Sequence, residues 1–292
     1  MFFLNLLQKI DWTRTDMESD GFIKVDYKSN RRRKRSKPQK INNSVGYETI
    51  RFDPIEVETD FETVLKKVEE CKAEIRSSDF YLGFYEIFKK CVVTNSGKSE
   101  DGKRNVQNIV CYGLGSVSTS SAARYQLALL LLMKEFTGSS NPLLYDPIFS
   151  KLDWKILTRF DCRAIRKNEE GKRKIDGRTL FFMPHCGRPL YNSILWANWS
   201  PDGLNDVILI GNSFNNFVFS LPEKTLNKFS YLCRVKSAVT EYNVPNTFRF
   251  QDIFNNMSIH VFDLRVLRNF PKQNWKDRAE PFYHGDDEII LS

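Results

Sequence analysis

A short apolar run that ends in two glycines and leads into a long apolar helix most constrains how this chain can fold. Residues 108–112 have strand character, and a turn rich in hydroxyl groups follows them. In that turn Gly113 permits a positive φ and Gly115 lets another group approach the backbone. The helix predicted over 121–136 is the most hydrophobic of the sequence, and its N-terminus carries unpaired N–H groups. This pattern is typical of the first β-loop-α unit of a nucleotide-binding α/β sheet, in which the loop binds an anion.

Two details separate this loop from a dinucleotide fingerprint. Ser118 stands where the G-x-G-x-x-G pattern has its third glycine, at which close helix–strand packing excludes a side chain. Asp146, the candidate acid for ribose hydroxyls, lies 33 residues beyond Gly113, whereas the usual interval is about 20. Both details argue against an ordinary NAD site. A tight turn that ends in a serine N-cap also needs glycine and hydroxyl groups without any ligand, so a purely structural loop stays open.

The apolar pattern after residue 60 predicts an alternation of helices and strands. Apolar residues at steps of three and four predict a helix over 60–77, and Ser78 or Asp79 caps a second helix. Strands are predicted within seven segments: 106–112, 143–145, 162–165, 179–183, 207–210, 238–242 and 259–262. Apolar strands separated by helices indicate a parallel sheet covered on both faces. We expect an α/β fold, a Rossmann-like three-layer sandwich with a mostly parallel sheet preceded by two helices.

The domain organisation follows from where this alternation begins. Residues 1–50 are poor in periodic apolar residues and are predicted to form a disordered basic arm. Residues 55–292 are predicted to form one domain, with its core at 105–220. Within it, Asp146 and Pro147 are expected to end the second strand and to open a helix that reaches about residue 160.

The net charge of +8 belongs to the arm. The segment 31–40 carries seven positive charges, so the remainder of the chain is close to neutral at +1. The densest part of this run consists of Arg31, Arg32, Arg33, Lys34 and Arg35. Such a run suits nuclear import or a nucleic-acid contact, and a solvated tail without a partner explains it equally well.

Cysteine usage and hydropathy bear on the compartment. Six cysteines are scattered without a Cys-x-x-Cys pair or zinc-finger spacing, which favours a reducing, intracellular environment and predicts no metal site. The longest apolar run, 127–133, is far shorter than a membrane span, and the N-terminal apolar residues lack the features of a secretory signal. We expect a cytoplasmic protein without a membrane partner. If the basic run acts as a nuclear-import signal, the protein is also expected in the nucleus.

Polar or glycine residues follow the apolar run of several predicted strands. In an open parallel sheet the ligand crevice lies outside the carboxyl ends of the strands, so these residues are candidates for one ligand site. Strand ends must also become polar where they reach water, and this structural explanation remains open. The candidate ligand-binding residues are Tyr112, Gly113, Gly115, Ser116, Ser118, Ser120, Asp146, His185, Asn212 and Ser213.

The neighbours His185 and Cys186 invite comparison with a nucleophile and its base. Adjacent residues on an extended backbone point to opposite sides, so these two are not expected to form a thiolate–imidazole pair. His185 is therefore interpreted as a polar group that faces the crevice, either as a ligand or proton-transfer residue or as a histidine satisfied by the protein. No catalytic residue is assigned.

Six motifs in a fixed order resemble one known family. They are Val110 to Ser116, the helix residues Gln126 to Leu131, Tyr145-Asp146-Pro147, Met183-Pro184-His185-Cys186, Leu195 to Trp199, and Ile210 to Phe214. Together they resemble the sensitivity-to-red-light-reduced (SRR1) family, strongly over 105–219 and more distantly as far as His260. The resemblance implies a regulatory role, in circadian clock gene regulation and in the regulation of haem biosynthesis. It implies no established reaction.

Three hypotheses for the function follow. The first is a regulatory protein whose domain binds a small anionic or nucleotide-type ligand at 113–120. The second is an enzyme that depends on a nucleotide cofactor, methyltransferase-like or an oxidoreductase, and the third is a plain scaffold for protein partners that remain unknown. The cofactor is undetermined, and direct haem binding rests only on isolated residues such as His185 and Cys186, because the sequence lacks a Cys-x-x-Cys-His motif.

Overall fold

A computed structural model provides the structure of the protein, and it describes residues 60–94, 106–139 and 141–283. The basic arm, including the run Arg31 to Arg35, lies outside the described residues. None of the helices in the described segments combines the length and the apolar character that a membrane crossing requires.

Two helices precede the sheet, as the sequence predicted. Helix α1 (Phe61–Arg76) begins where the Asp60 side chain accepts the Glu62 N–H at 3.3 Å. Its buried residues recur at helical spacing, and they are Val64, Val68, Cys71 and Ile75. Helix α2 (Asp79–Thr94) begins after Ser78, whose Oγ accepts the Tyr81 N–H at 3.2 Å. The hydroxyl and the carboxylate satisfy helix N–H groups that have no partner within the helix.

The described residues form one seven-stranded sheet. Its strands are β1 (Asn108–Tyr112), β2 (Leu143–Tyr145), β3 (Arg163–Ala164), β4 (Thr179–Met183), β5 (Val207–Asn212), β6 (Val239–Asn243) and β7 (Met257–Phe262). They lie in the order β3-β2-β1-β4-β5-β7-β6. The first five are parallel, and β7 runs antiparallel to both β5 and β6. The mostly parallel α/β sheet is thereby confirmed, and β7 inserts between β5 and β6 although it follows β6 in sequence.

Nine further helices connect and follow the strands in the described part of the chain. They are α3 (Ser121–Thr137), α4 (Lys151–Arg159), α5 (Arg188–Ala197), α6 (Pro201–Asn205), α7 (Phe214–Phe217), α8 (Glu223–Leu226), α9 (Ser230–Val235), α10 (Leu264–Arg268) and α11 (Lys272–Lys276). The prediction that Asp146 and Pro147 open α4 is wrong. The Asp146 carboxylate accepts the Ile148 N–H at 3.1 Å in a turn, and Ser150 caps the helix instead. Asp readily forms such local side-chain-to-backbone bonds in turns, so the turn continues past Pro147 and α4 begins only at Lys151.

Alternate residues of the strands enter two separate apolar clusters. On one face, Ile109 and Cys111 of β1 pack in the cluster that also holds the buried residues of α1, α2 and α3. On the other face, Val110 and Tyr112 pack with α5 and α9. The period of two along a strand produces this division. Helices therefore pack against both faces, while the turns after β1, β4 and β5 lie at the carboxyl edge of the parallel strands.

Candidate functional site

The turn after β1, residues 113–120, is called the β1 loop here, and both of its glycines have left-handed backbone. Gly113 has φ +66° and Gly115 has φ +82°. A Cβ at Gly113 would lie 2.7 Å from the Cys186 Sγ, whereas one at Gly115 would lie 3.4 Å from the Ala123 Cβ. The tighter approach to the backbone is therefore at Gly113 and not at Gly115, where the sequence pattern placed it. Cys186 is held there because its thiol donates to the Tyr112 carbonyl at 3.3 Å.

Two backbone N–H groups of the β1 loop point at carboxylates of the protein itself. The Gly115 N–H donates to Asp146 Oδ2 at 2.8 Å, and the Ser118 N–H donates to Asp153 Oδ1 at 2.7 Å. The Ser116 hydroxyl contacts both Asp153 oxygens at 3.1–3.2 Å and lies 3.0 Å from the Ser118 hydroxyl. The sequence pattern predicts that these N–H groups bind an anionic ligand; in the structure they donate to two carboxylates of the protein itself.

Asp153 was not among the candidate residues, although it is completely buried beside the loop. It belongs to the first turn of α4 and forms a capping box with Ser150, whose N–H and hydroxyl both bond its Oδ2 at 2.7–2.8 Å. Burial acts to raise the pKa of the Asp153 carboxyl, but the hydrogen bonds from Ser118 and Ser150 outweigh burial and lower the pKa below its ordinary value. The carboxylate therefore stays charged inside the protein.

The remaining contacts make the β1 loop continuous with α3. Ser120 is the N-cap of α3, and its Oγ accepts the Ala123 N–H at 3.2 Å. The Arg124 guanidinium donates to the Val117 carbonyl at 2.9 Å. Because a side chain of α3 holds the loop carbonyl while the carboxylates hold the loop N–H groups, the loop conformation is fixed from both sides.

Tyr112 and His185 bond to groups other than the two carboxylates that hold the β1 loop. The Tyr112 hydroxyl donates to Glu169 at 2.9 Å, and Glu169 is paired with Arg173 at 2.8 Å. His185 is exposed and has φ +58°, so its backbone is left-handed and not extended as the sequence interpretation assumed. Its Nε2 donates to the Ile253 carbonyl at 3.1 Å, whereas the Cys186 thiol donates to the Tyr112 carbonyl at 3.3 Å, so the two neighbours bond to different backbone carbonyls.

The end of β5, residues 212–217, holds the last two candidates and is called the β5 end. Asn212 is buried and bridges to the β4 side, because its Nδ2 donates to the Cys186 carbonyl at 2.9 Å. Ser213 caps α7, accepts the Asn216 N–H at 3.1 Å and donates a hydrogen bond to Glu241. Asn212 therefore connects the β5 end to the Gly113 side of the edge, whereas Ser213 faces β6.

Two residues of the added antiparallel strands complete the β5 end, and the sequence did not indicate them as site residues. Glu241 has a side chain only 5% exposed and accepts the Asn215 N–H at 2.9 Å. His260 is fully buried, accepts the Phe214 N–H on Nε2 at 3.3 Å and donates from Nδ1 to the Leu209 carbonyl at 3.3 Å. Burial lowers the pKa of His260 to about 4, although the Glu241 carboxylate acts in the opposite direction. The imidazole is therefore neutral at physiological pH.

A comparison with protein families decides which family these motifs represent. The model described as "SRR1 domain" matches residues 71–261, a span that contains the β1 loop, Asp153 and the β5 end. The chain belongs to the SRR1 domain family. The resemblance drawn from the six motifs is thereby confirmed.

Three relatives are similar to this chain over more than half of its length. The "SRR1-like protein" of Mus musculus is 34% identical over 211 residues, which cover 63% of this chain and 85% of that protein. "Protein SENSITIVITY TO RED LIGHT REDUCED 1" of Arabidopsis thaliana is 30% identical over 274 residues, 90% of this chain and 98% of that protein. The "SRR1-like protein" of Drosophila melanogaster is 26% identical over 224 residues, 77% of either chain.

The SRR1 domain brings most of the candidate residues into one hydrogen-bonded edge. The β1 loop, Asp146 and Asp153 form its first part, and Cys186 with Asn212 extends it to β5. Within the described segments, no group of three His, Cys, Asp or Glu residues is placed to hold a metal ion. At this edge the Asp146 carboxylate is only half-buried, so it can accept hydrogen bonds from a ligand.

Proposed function

We propose that this chain is a regulatory protein that acts by binding and takes part in the regulation of clock gene expression and of haem biosynthesis. Membership of the SRR1 domain family over 71–261 supports a regulatory role, because a relative that covers 90% of the chain is named for sensitivity to red light. The relatives from Mus musculus and Drosophila melanogaster are both named "SRR1-like protein". We assign haem to the regulated process and not to a ligand, since His185 donates to a backbone carbonyl.

The binding site that we propose is the carboxyl edge of a Rossmann-like three-layer sandwich, around the β1 loop. The observation that carries this proposal is the bond from the Gly115 N–H to Asp146 Oδ2 at 2.8 Å. It fixes a half-buried carboxylate at the end of the second strand, the position of the acid that accepts ribose hydroxyls in nucleotide sites. Asp146 retains acceptor capacity, because a carboxylate has about four lone-pair sites and two of them are used.

The same geometry narrows the ligand class. A phosphate beside Gly115 and Ser118 would meet the Asp146 and Asp153 carboxylates, and like charges at such short range repel. We therefore propose a nucleoside-type ligand that carries no phosphate at the loop, with its ribose hydroxyls on Asp146. His185, exposed at the end of β4, is the candidate for contact with the remainder of the ligand. Asn212 and Ser213 have partners within the protein and shape the site.

Thermal-shift titration of the full-length protein tests this proposal. Adenosine and S-adenosylmethionine are expected to raise the melting temperature, whereas ADP and NAD should raise it less. Asp146→Ala should abolish the response, and Asp252→Ala, which removes an exposed acid on the β6–β7 connection, should leave it unchanged. A stabilisation that survives Asp146→Ala, or no stabilisation by any of these ligands, would contradict the proposed site.

The strand order favours a methyltransferase-like enzyme as the second candidate. The order β3-β2-β1-β4-β5-β7-β6, with β7 antiparallel, is also the sheet order of Rossmann-like methyltransferases that use S-adenosylmethionine. This is an analogy of fold, and one fold carries many functions. Transfer of a labelled methyl group to protein or RNA, lost in Asp146→Ala and His185→Ala variants that remain folded, would establish the enzyme. Equal transfer by the wild type and both variants would exclude this assignment.

A further inference from the structure

A second surface of the molecule, which contains none of the candidate ligand-binding residues, has the composition of a protein-docking groove. It lies between the start of α1 and α4 and has a volume of about 1280 Å³. Pockets for small molecules usually measure about 300–1,000 Å³, so this groove is large for a cofactor. Its basic side chains are Lys151, Lys155 and Arg159, and its apolar side chains are Phe61, Leu152 and Trp154.

The three basic side chains form a regular row along α4. They are four residues apart, so each lies about one helical turn, or about 6 Å, from the next. All three are exposed, and none of them has an acidic partner in the part of the chain that the structure describes. The acid on the rim, Asp60, is occupied as the N-cap of α1, where it accepts from the Glu62 N–H and the Thr63 hydroxyl. Among the described residues that line the groove, the three cations therefore outnumber the single carboxylate of Asp60, and this lining has a net positive charge.

The apolar side of the groove supplies a rigid contact surface. Trp154 is half-buried and packs edge-to-face on Phe149, with ring centroids 4.8 Å apart. Leu152 and Phe61 are half-buried and pack against the same apolar cluster as α1 and α3. Tryptophan held in this way loses little conformational freedom on binding, and Trp is among the residues that contribute most of the binding energy at many protein interfaces.

We propose that this groove binds an acidic amphipathic helix of a partner protein. Carboxylates at every fourth position of such a helix would match the spacing of Lys151, Lys155 and Arg159, and its apolar residues would pack on Trp154. The match of charge is what selects an acidic partner. A nucleic acid fits less well, because three cations beside an apolar surface neutralise few phosphates. The proposal is independent of the ligand site at the β1 loop.

Binding of a designed peptide to the full-length protein tests the groove. The probe is a fluorescein-labelled helical peptide with Glu at every fourth position and Leu and Phe between them, and the readout is fluorescence anisotropy. Lys155→Glu is expected to weaken binding at least about tenfold, and higher salt should weaken binding to the wild type. Lys228→Glu is the matched control, because Lys228 is exposed beside residues of the cluster on the other face of the sheet. It should bind like the wild type.

Three outcomes would overturn the proposal. The first is an equal loss of affinity in Lys155→Glu and Lys228→Glu, which would show a response to net charge alone. The second is tighter binding of a DNA or RNA oligonucleotide than of the peptide, lost in Lys155→Glu, which would assign the groove to nucleic acid. The third is binding only after Glu56→Lys and Glu58→Lys, acids that precede the groove in sequence. That result would show that the chain itself fills the groove.

Discussion

The β1 loop and the β5 end each hold a buried carboxylate at the edge of the sheet, but different groups stabilise the two carboxylates. Each is a turn at the carboxyl edge of the sheet, each leads into a helix capped by serine, and each places a carboxylate against backbone N–H groups. Beside the β1 loop, the buried acid Asp153 of α4 receives hydrogen bonds from four donors. At the β5 end, Glu241 receives two and lies 3.8 Å from a neutral histidine.

The difference shows where the charge of each region is compensated. Asp153 is stabilised as an anion by the loop and by its own helix, so it locks the β1 loop. Glu241 has His260 beside it, yet burial keeps that imidazole uncharged. The β1 loop is therefore expected to be insensitive to pH over the range in which the β5 end responds, and the predictions below test this contrast from the largest effect to the smallest.

Removal of the Asp153 carboxylate should have the largest effect. Asp153→Ala leaves the buried Ser118 N–H and the Ser150 groups without their acceptor, and we expect it to lower the free energy of unfolding by about 3 kcal/mol. Urea denaturation followed by circular dichroism measures this change. Asp252→Ala, at an exposed position, should stay within about 0.5 kcal/mol of the wild type. Similar values for the two variants would mean that the loop does not depend on Asp153.

Acid should weaken the β5 end before it affects the β1 loop. The pKa of His260 is about 4 in the folded protein against an ordinary 6.5, so the unfolded chain binds the extra proton first as the pH falls. The contribution of the neutral, buried His260 to the free energy of unfolding is complete above pH 6.5. It is lost as the pH falls towards 4, by about 3 kcal/mol in total. The pKa of Asp153 is also lowered, so its contribution is lost only below its ordinary value of 3.8.

Urea denaturation over a series of pH values measures this loss. In His260→Asn the decline between pH 6.5 and 4 should flatten, while in His185→Asn, which removes an exposed imidazole, it should persist. A decline of the same steepness in His260→Asn and the wild type would assign the acid sensitivity to other groups.

Much of the sheet could be predicted because the information is local. Each of the seven strands carries its own apolar run or alternation, and the structure contains a strand in every predicted segment. The capping serines Ser78 and Ser120 are local signals as well. The position of β7 between β5 and β6 could not be predicted, because apolar patterning shows that a strand exists and not which neighbours it pairs with.

The partners of the candidate site were less accessible to sequence reasoning. The pattern Ser150-x-x-Asp153 does indicate a capping box. No feature of the neighbouring sequence indicates that the same carboxylate accepts the Ser118 N–H, 35 residues earlier. Glu241 lies on a half-exposed strand and reads as a solvent-facing acid. Both acids became visible only when the strands were brought together, which is why the β1 loop was interpreted as a site for an external anion.

Replacement of Gly113 should cost less than replacement of Asp153. In Gly113→Ala the Cβ would sit 2.7 Å from the Cys186 Sγ at φ +66°, and we expect a loss of about 2 kcal/mol from crowding and backbone strain. Gly83→Ala, in the interior of α2 with open space around it, should instead gain about 0.5–1 kcal/mol. Chemical denaturation measures both. If Gly113→Ala is equally destabilising in a Cys186→Ala background, strain alone accounts for the loss.

The smallest effect that we predict is the difference in stability loss between Ser120→Ala and Ser213→Ala. Ser120 caps α3 after the β1 loop and Ser213 caps α7 at the β5 end, so this difference compares the two regions directly. Ser120→Ala removes one bond to the Ala123 N–H, and the loss of such a cap costs about 1 kcal/mol. Ser213→Ala removes a cap and also a donor to the nearly buried Glu241, so it should cost about 1 kcal/mol more. The extra cost arises because, among the described residues, Glu241 would keep the Asn215 N–H as its one donor, while His260 stays uncharged and cannot replace the lost donor. Equal losses in parallel urea titrations at pH 7 would show that Glu241 finds a substitute partner such as water.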